Sequence, residues 1–290
     1  MPLPPGDHRL ELPAGPLVRR CLVHVPSTGS ELRPLVLMLH GAGGTSAWTR
    51  DETGWNATAD RAGFVVAYPD GVPVDPTRPP SFLANPQVWN AGAGPGLVLA
   101  RGHDDVAFLA ALPDDLARRT PIDPRRVYVT GFSNGAAMAF RLAAELSDRI
   151  AAVAPVAGYC PVTLRPTRPV PTLYVVGTED PLVPLEGGEV RAPWDGRVGQ
   201  RPPVRAMLAR WAELLGLPRV LTLRDERGGV RVEEYGAGAG VEFALVTVAG
   251  LGHHWPGGLG RLKPRLAGRP SERLRANEVN WEFFQKHPLK

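Results

Sequence analysis

Apolar residues along the chain fall into short runs that differ in how their side chains alternate. The segment from Leu17 to Val25 alternates between apolar and polar residues and predicts an edge strand. Continuous apolar runs are typical of strands with two buried faces. Such runs follow at Leu35 to Leu39, Phe64 to Tyr68, Val127 to Thr130, Ala151 to Val156, Leu173 to Val176 and Phe243 to Val248. The pattern therefore predicts a sheet whose interior strands are fully buried.

Helical patterns separate these runs. They cover Asp105 to Arg119, Gly135 to Leu146, Val204 to Leu215 and Glu272 to Gln285. Pro113 lies inside the first of them and predicts a kink or a break there. Strands that alternate with helices favour a mainly parallel central sheet with helices on both faces. The predicted fold class is therefore α/β.

The chain shows no internal repeat and no linker, so residues 1–290 are expected to form one α/β domain. Residues 1–16 precede the first predicted strand, and we expect them to be irregular. Two longer segments, 72–96 and 180–200, contain many turn-forming residues and fit neither a helix nor a strand. Long loops at the carboxyl edge of a parallel sheet commonly form the binding site, so we place the site there.

Composition and charge exclude several classes of protein. Apolar residues make up 43% and charged residues 21% of the chain, as in ordinary globular domains. The formal net charge is +4, but most arginines lie near acidic residues, and we expect no nucleic-acid partner. The segment from Arg261 to Arg275 is more basic, since only Glu272 opposes its cations. We interpret this segment as a solvated surface rather than a patch that attracts anions.

No segment is long and apolar enough to cross a membrane, so we expect no membrane partner. The first residues lack the pattern of a secretory signal. The protein is therefore expected in the cytoplasm, or outside the cell if a signal has been removed. Cys21 and Cys160 are far apart in sequence and outside any CxxC motif, and we expect them to be free thiols.

The strongest chemical signal is the segment Gly131-x-Ser133-x-Gly135, which lies between a predicted buried strand and a predicted helix. A serine at such a strand-to-helix turn is typical of the nucleophile elbow of α/β-hydrolases. The turn strains the backbone of the serine, and the flanking glycines remove Cβ atoms that would collide there. We therefore predict that Ser133 is a nucleophile close to a helix N-terminus, which favours developing negative charge.

A serine hydroxyl needs a base, and in this fold the partners follow in the order serine, acid, histidine, each after a later strand. Glu179 and Asp180 follow one of the later predicted strands, and His253 and His254 follow the next. Asp180 is preferred over Glu179 because it stands where the turn begins. The order of elements alone leaves open which of the two histidines acts.

Backbone N–H groups that could bind an oxyanion are predicted in two places. One belongs to Asn134, the residue after the serine. The other belongs to the sequence HGAGG at residues 40–44, which follows an early buried run, and Ala42 is the candidate donor there. We expect His40 to hold this loop in place rather than to take part in chemistry.

Three tryptophans lie in loops predicted to surround the serine, namely Trp89, Trp194 and Trp255. Aromatic side chains often form the walls of apolar pockets, so these three are candidates for substrate binding. The segment 103–105 and the paired histidines contain metal-ligand residue types, but no matching ligand spacing lies elsewhere in the chain. We therefore expect no metal and no organic cofactor.

These motifs and their neighbours resemble carbohydrate esterase family 1 and the polyhydroxybutyrate-depolymerase-like esterases, a group that includes feruloyl and acetylxylan esterases. The resemblance covers residues 17–287. It rests on LHGAGGTSAW (39–48), GFVVAYPDG (63–71), DDVAFLAAL (104–112), IDPRRVYVTGFSNGAAMAFRLA (122–143), GTEDPLVPLEGG (177–188), GHHWPGG (252–258) and ANEVNWEFF (276–284). The GTxDxxVP motif of the family implies that the acid is Asp180, and its GHxWPG motif implies that the base is His253.

The resemblance implies a serine esterase of the α/β-hydrolase fold that acts through an acyl-enzyme. Its partner would be a small or oligomeric ester, with feruloyl-type or other small aryl and alkyl esters as the first expectation. The alternative is a depolymerase of polyhydroxyalkanoates or other polyesters. A serine peptidase usually needs an added domain or peptide-binding elements that are not evident here. A binding protein on this fold would typically lack a member of the triad, and none is missing.

Overall fold

The computed structural model describes residues 2–29, 31–92, 103–191, 196, 198–238 and 240–290. The strands of these ranges are, in chain order, β1 (Gly6–Ala14), β2 (Leu17–Val25), β3 (Arg33–Leu39), β4 (Val65–Pro69), β5 (Val72–Pro73), β6 (Gln87–Val88), β7 (Ile122–Phe132), β8 (Ala152–Val156), β9 (Thr172–Gly177), β10 (Gly188–Arg191), β11 (Val198–Arg201), β12 (Leu221–Arg227), β13 (Val230–Tyr235) and β14 (Phe243–Val248). The helices are α1 (Ser46–Thr53), α2 (Trp55–Ala62), α3 (Asp105–Ala117), α4 (Asn134–Glu145), α5 (Val204–Leu214), α6 (Pro264–Ala267) and α7 (Ala276–Gln285).

Ten of these strands form one sheet in the order β1-β2-β4-β3-β7-β8-β9-β14-β13-β12. The central strands from β4 to β14 in that order pair in parallel. Antiparallel pairs extend the sheet at both ends, β1 and β2 at one and β13 and β12 at the other. The expected mainly parallel sheet is therefore confirmed, and the six continuous apolar runs are its parallel strands.

The edges of the sheet differ from the prediction. Residues 6–14 form β1, a strand that pairs with β2 from Gly6 opposite Val25 to Ala14 opposite Leu17. The expectation that residues 1–16 are irregular was wrong for these nine residues. A tight connection at Gly15, which has a φ of 60°, lets the chain turn back on itself and pair. The predicted edge strand, Leu17–Val25, is consequently the second strand of the sheet.

Side chains of the parallel strands alternate between two cores. In β3, Leu35 and Leu37 pack on one face with apolar residues of α3, α4 and α5. Val36 and Met38 pack on the opposite face with apolar residues of α2 and α7. Because successive side chains of a strand point to opposite faces, a continuous apolar run fills both cores at once.

Local signals account for the limits of several helices. The Thr45 side chain accepts a hydrogen bond from the Trp48 backbone N–H and caps α1, which ends at the left-handed Gly54. Asp104 caps α3 through the backbone N–H of Ala107. The predicted break at Pro113 is absent, because α3 runs through this residue to Ala117.

Two smaller expectations concern membranes and cysteines. Within the described ranges, no helix is long and apolar enough to cross a membrane. Cys21 and Cys160 are both free thiols, as expected.

Helix α7 stabilises one face of the sheet through aromatic stacking. The Phe284 ring lies parallel to that of Tyr128, with 4.7 Å between ring centroids, and Phe284 is fully buried. We predict that Phe284→Ala lowers the free energy of unfolding by about 3–5 kcal/mol, because it removes apolar contacts and leaves a cavity. Denaturant unfolding measures the change. The control Leu223→Ala, half exposed on β12, should cost less than about 0.5 kcal/mol, and equal losses would contradict the prediction.

Candidate active site

Ser133 sits at a sharp turn between β7 and α4 in a strained backbone conformation. Its φ is 55° and its ψ is −114°, a region that residues other than glycine rarely adopt. The Ser133 backbone N–H donates to the carbonyl of Val156 at 2.9 Å, and its own carbonyl accepts from the Ala136 N–H at 3.0 Å. The neighbouring strand and the first turn of α4 thus hold the serine in this geometry.

The two flanking glycines are required by close backbone contacts. A Cβ atom on Gly131 would lie 2.4 Å from the carbonyl oxygen of Gly135. A Cβ atom on Gly135 would lie 2.3 Å from the carbonyl oxygen of Leu39, at the end of β3. Any side chain at either position would push α4 away from the sheet, and the serine with it.

Asp180 and His253 form a buried hydrogen-bonded pair. Oδ2 of Asp180 accepts from Nδ1 of His253 at 2.8 Å. Oδ1 of Asp180 accepts from the backbone N–H groups of Leu182 and Val183, each at 2.8 Å. These hydrogen bonds fix the direction of the carboxylate. The pair orients the imidazole so that Nε2 is the ring nitrogen free for other partners.

The neighbouring residues that the sequence left as alternatives take no part in this pair. Glu179 is exposed to solvent. His254 is buried, and its Nε2 donates to the carbonyl of Gly268 at 3.1 Å. Burial lowers the pKa of His254, so this residue is neutral. The geometry therefore joins Asp180 to His253.

The backbone of the HGAGG loop lies against the serine. A Cβ atom on Gly41 would lie 3.2 Å from Cβ of Ser133, so the two segments touch. In the described part of the chain, the backbone N–H groups of Ala42 and Asn134 have no hydrogen-bond acceptor. These are the two groups predicted to bind an oxyanion, and both remain available to a substrate.

His40 holds this loop from behind. Its Nδ1 donates to the carbonyl of Gly41 at 2.7 Å, and its Nε2 accepts from the backbone N–H of Gly71 at 2.8 Å. The side chain is buried, and burial lowers the pKa of His40. A neutral imidazole can both donate and accept, which is what these two contacts require.

Two of the three tryptophans predicted to bind substrate need correction. Trp89 is fully buried behind the HGAGG loop, where its Nε1 donates to the carbonyl of His40 at 3.0 Å. Trp255 is buried too, and its Nε1 donates to Oδ1 of Asn277 at 2.9 Å. Neither side chain lines the cavity next to Ser133. Each points inward because its indole N–H finds a partner there. Trp194 lies outside the described residues.

A cavity of about 480 Å³ opens beside the serine. Its lining comprises Gly41, Ala42, Gly44, Trp48, Phe82, Leu83, Phe132, Ser133, Leu182, His253, Arg261, Leu262, Lys263, Arg265, Leu266 and Ala267. Most of these side chains are apolar, and three are cationic. Sequence reasoning missed most of the apolar wall. The only signal for it was that its residues lie in or next to segments predicted as loops near the serine.

Comparisons with known proteins show the family of this chain. The family described as Esterase PHB depolymerase matches residues 19–162. A protein of Nocardia uniformis subsp. tsuyamanensis named "Putative esterase NocK" is 33% identical over 271 residues, which are 88% of this chain and 74% of that protein. The chain belongs to this family of esterases. It is therefore a carboxylic ester hydrolase, and the resemblance stated from the motifs is confirmed.

A further sequence relative and a solved structure show how far the likeness extends in sequence and in fold. Feruloyl esterase B of Piromyces equi is 29% identical over 253 residues, which are 81% of this chain but 42% of that protein. The solved structure of an acetyl xylan esterase from Aspergillus awamori has a TM-score of 0.62 and 14% identity, over 96% of this chain and 99% of that one. The structural likeness confirms the α/β-hydrolase fold.

The buried His40 predicts a pH dependence of the stability of this esterase. An unfolded histidine takes up a proton below about pH 6.5, whereas the lowered pKa keeps the folded side chain neutral. Unfolding is therefore favoured as the pH falls, by up to about 1.4 kcal/mol per pH unit. In His40→Gln this contribution disappears, while a side-chain oxygen remains to accept from Gly71. We predict that the melting temperature of the wild type falls by about 2–4 °C more than that of the variant over one unit below about pH 6.5.

Differential scanning calorimetry on both proteins at matched ionic strength measures this difference. If the melting temperatures of the two proteins fall by the same amount with pH over the acidic range, the prediction is contradicted. The test compares how steeply the melting temperature changes with pH in each protein. A loss of stability in the variant that is the same at every pH therefore does not affect it.

Proposed function

We propose that Ser133, His253 and Asp180 form a catalytic triad that hydrolyses carboxylic esters through an acyl-enzyme. The observation that carries the proposal is the buried Asp180–His253 pair, whose histidine lines the same cavity as the strained Ser133. A base that is itself oriented by a third group is the arrangement that activates a serine hydroxyl.

The reaction proceeds in two halves. Oγ of Ser133 attacks the ester carbonyl while Nε2 of His253 accepts its proton, and Asp180 stabilises the imidazolium that forms. The backbone N–H groups of Ala42 and Asn134 bind the oxyanion of the tetrahedral intermediate. His253 then returns the proton to the leaving alcohol. A water molecule, activated by the same histidine, releases the acid and restores the serine.

The substrates that the cavity suits best are feruloyl-type and other small aryl or alkyl esters. A volume of about 480 Å³ accommodates a group of this size. Trp48 and Phe132 supply flat walls for an aryl group. The resemblance to a feruloyl esterase supports the same class. The second candidate class is the hydroxyalkanoate esters, which the family name suggests. Phe82 and Leu83, 48% and 49% exposed, would offer a longer chain an apolar entrance.

The triad is tested by removing each member. We predict that Ser133→Ala, His253→Gln and Asp180→Asn each lower kcat for 4-nitrophenyl acetate by at least about a thousandfold, because the three act as one unit. Circular dichroism and melting curves check that the variants fold. Glu179→Gln is the matched control for the acid, and its rate should stay near that of the wild type. A Ser133→Ala protein with more than about 1% of the wild-type rate would rule out this nucleophile.

The aromatic wall is tested by substrate choice. We predict that kcat/KM for methyl ferulate exceeds that for methyl 3-hydroxybutyrate, because aryl stacking adds about 0.5–1.5 kcal/mol, a two- to tenfold effect per contact. Trp48→Ala should reduce this preference, whereas Trp48→Phe should keep most of it. The rates with both esters are measured for all three proteins. A higher value for the hydroxybutyrate ester, with equal effects of Trp48→Ala on both, would favour the second class.

A further inference from the structure

Three cations line the cavity beside the serine, and we call Arg261, Lys263 and Arg265 the cationic rim. No acidic residue is among the described residues that line this cavity. The rim is the first part of the basic segment that the sequence suggested was only a solvated surface. Its position turns three positive charges towards the space where a substrate binds.

The charges of the rim are only partly compensated within the protein. Arg261 has the carboxylates of Asp51 and Glu52 at 4.0 Å each. For Lys263 and Arg265, the described ranges contain no carboxylate within 4.0 Å. Both side chains are exposed, so water solvates them in the free protein. They therefore remain available to an anion that enters the cavity.

The surroundings of the rim strengthen its attraction for an anion. Leu262 and Leu266 alternate with the cations along the same segment and line the cavity beside them. Apolar walls exclude water and lower the effective dielectric constant, which strengthens an ion pair. The segment is also held in place: Glu52 accepts from the backbone N–H of Gly260 at 2.8 Å and of Arg261 at 3.3 Å.

The rim segment is joined by backbone hydrogen bonds to the loop of His253. The backbone N–H of His253 donates to the carbonyl of Ala267 at 2.5 Å, and the N–H of Ala267 donates to the carbonyl of Lys263 at 3.1 Å. The rim segment is thereby packed directly against the histidine. In the proposed reaction His253 protonates the leaving oxygen, so an alcohol part that leaves on the histidine side would lie next to this segment.

We propose that the cationic rim is a carboxylate-binding subsite, and that the preferred substrates are esters whose alcohol part carries a free carboxylate. Such substrates are esters of hydroxycarboxylates. This inference rests on the proposed function of Ser133 and His253. A contact with Lys263 or Arg265 is made in both ground state and transition state, so it acts mainly on KM.

The test compares two substrates that differ only in charge. They are 4-acetoxyphenylacetate and its primary amide, in which a methylene group separates the charge from the reacting phenol ester. We expect kcat/KM for the anion to exceed that for the amide by about tenfold at low ionic strength, as for two partly exposed ion pairs. The ratio should approach one in about 1 M salt, where the Debye length is about 3 Å.

Variants test whether the preference for the anionic substrate depends on the rim. The double variant Lys263→Gln, Arg265→Gln should bring the ratio close to one through a rise in KM for the anion. The double variant Lys263→Glu, Arg265→Glu should invert it. Arg269→Gln removes a charge from the same segment outside the cavity lining, and it should keep the ratio and the rate with 4-nitrophenyl acetate.

The outcomes separate this inference from the proposed function. Hydrolysis of 4-nitrophenyl acetate that depends on Ser133, with equal rates for the acid and the amide, would overturn the subsite alone. No hydrolysis of any of the three esters would overturn both proposals. A second pair of substrates, phenyl hydrogen glutarate and its amide, carries the charge on the acyl side. A charge preference confined to that pair would also overturn the assignment to the alcohol side.

Discussion

The close approach of three backbones around the serine is the constraint on which the rest of the site depends. At Gly135 the first turn of α4 leaves no room for a Cβ atom beside the end of β3, where the gap to Leu39 O would be 2.3 Å. This contact brings the helix N-terminus, the serine and the loop after β3 close together. Strain at Ser133 is the consequence, since only a turn this tight lifts the hydroxyl above the sheet. The sheet stabilises the strain through the hydrogen bonds that Ser133 makes on both sides.

A buried ion pair supports the loops behind this contact. Arg19 of β2 lies 2.7 Å from the carboxylate of Asp105 at the start of α3, and both are buried. The same guanidinium donates to the carbonyl of Asp70 at 2.9 Å, and the same carboxylate accepts from the backbone N–H of Asn90 at 2.7 Å. Buried charges are costly to separate, so these contacts act together. They hold the segment of Trp89 against the HGAGG loop. Trp89 therefore supports the shape of this loop and does not line the cavity.

The sequence allowed prediction of the buried centre of this protein better than of its periphery. A strand with a continuous apolar run can bury all its side chains only inside a sheet that is covered on both faces. Each of the six runs is a parallel strand in the structure. Strands β12 and β13 were missed because they are rich in charged residues. Arg224 and Glu234 pair across them, a contact invisible without the register. The positions of the active-site loops followed from strand order, and the partners within them followed from the family motifs. The directions of Trp89 and Trp255 did not, because each depends on a hydrogen-bond partner supplied by a distant segment.

In this architecture the groups beside the serine and the wall of the cavity are held in place in different ways. Ser133, His253 and the two candidate oxyanion donors are positioned by strands, helix ends and buried hydrogen bonds, where little can change without loss of the fold. The cavity wall is built differently, from Phe82, Leu83 and the segment 261–266, whose side chains are largely exposed. Exposed loop residues contribute little to stability, so their charge and size can vary without disturbing Ser133 or His253. In the two proposals made above, these loops act together with Trp48 and Phe132 in the choice among esters. Among the described residues, Lys263 and Arg265 have no carboxylate within 4.0 Å, and the packing of the protein does not require two cations there.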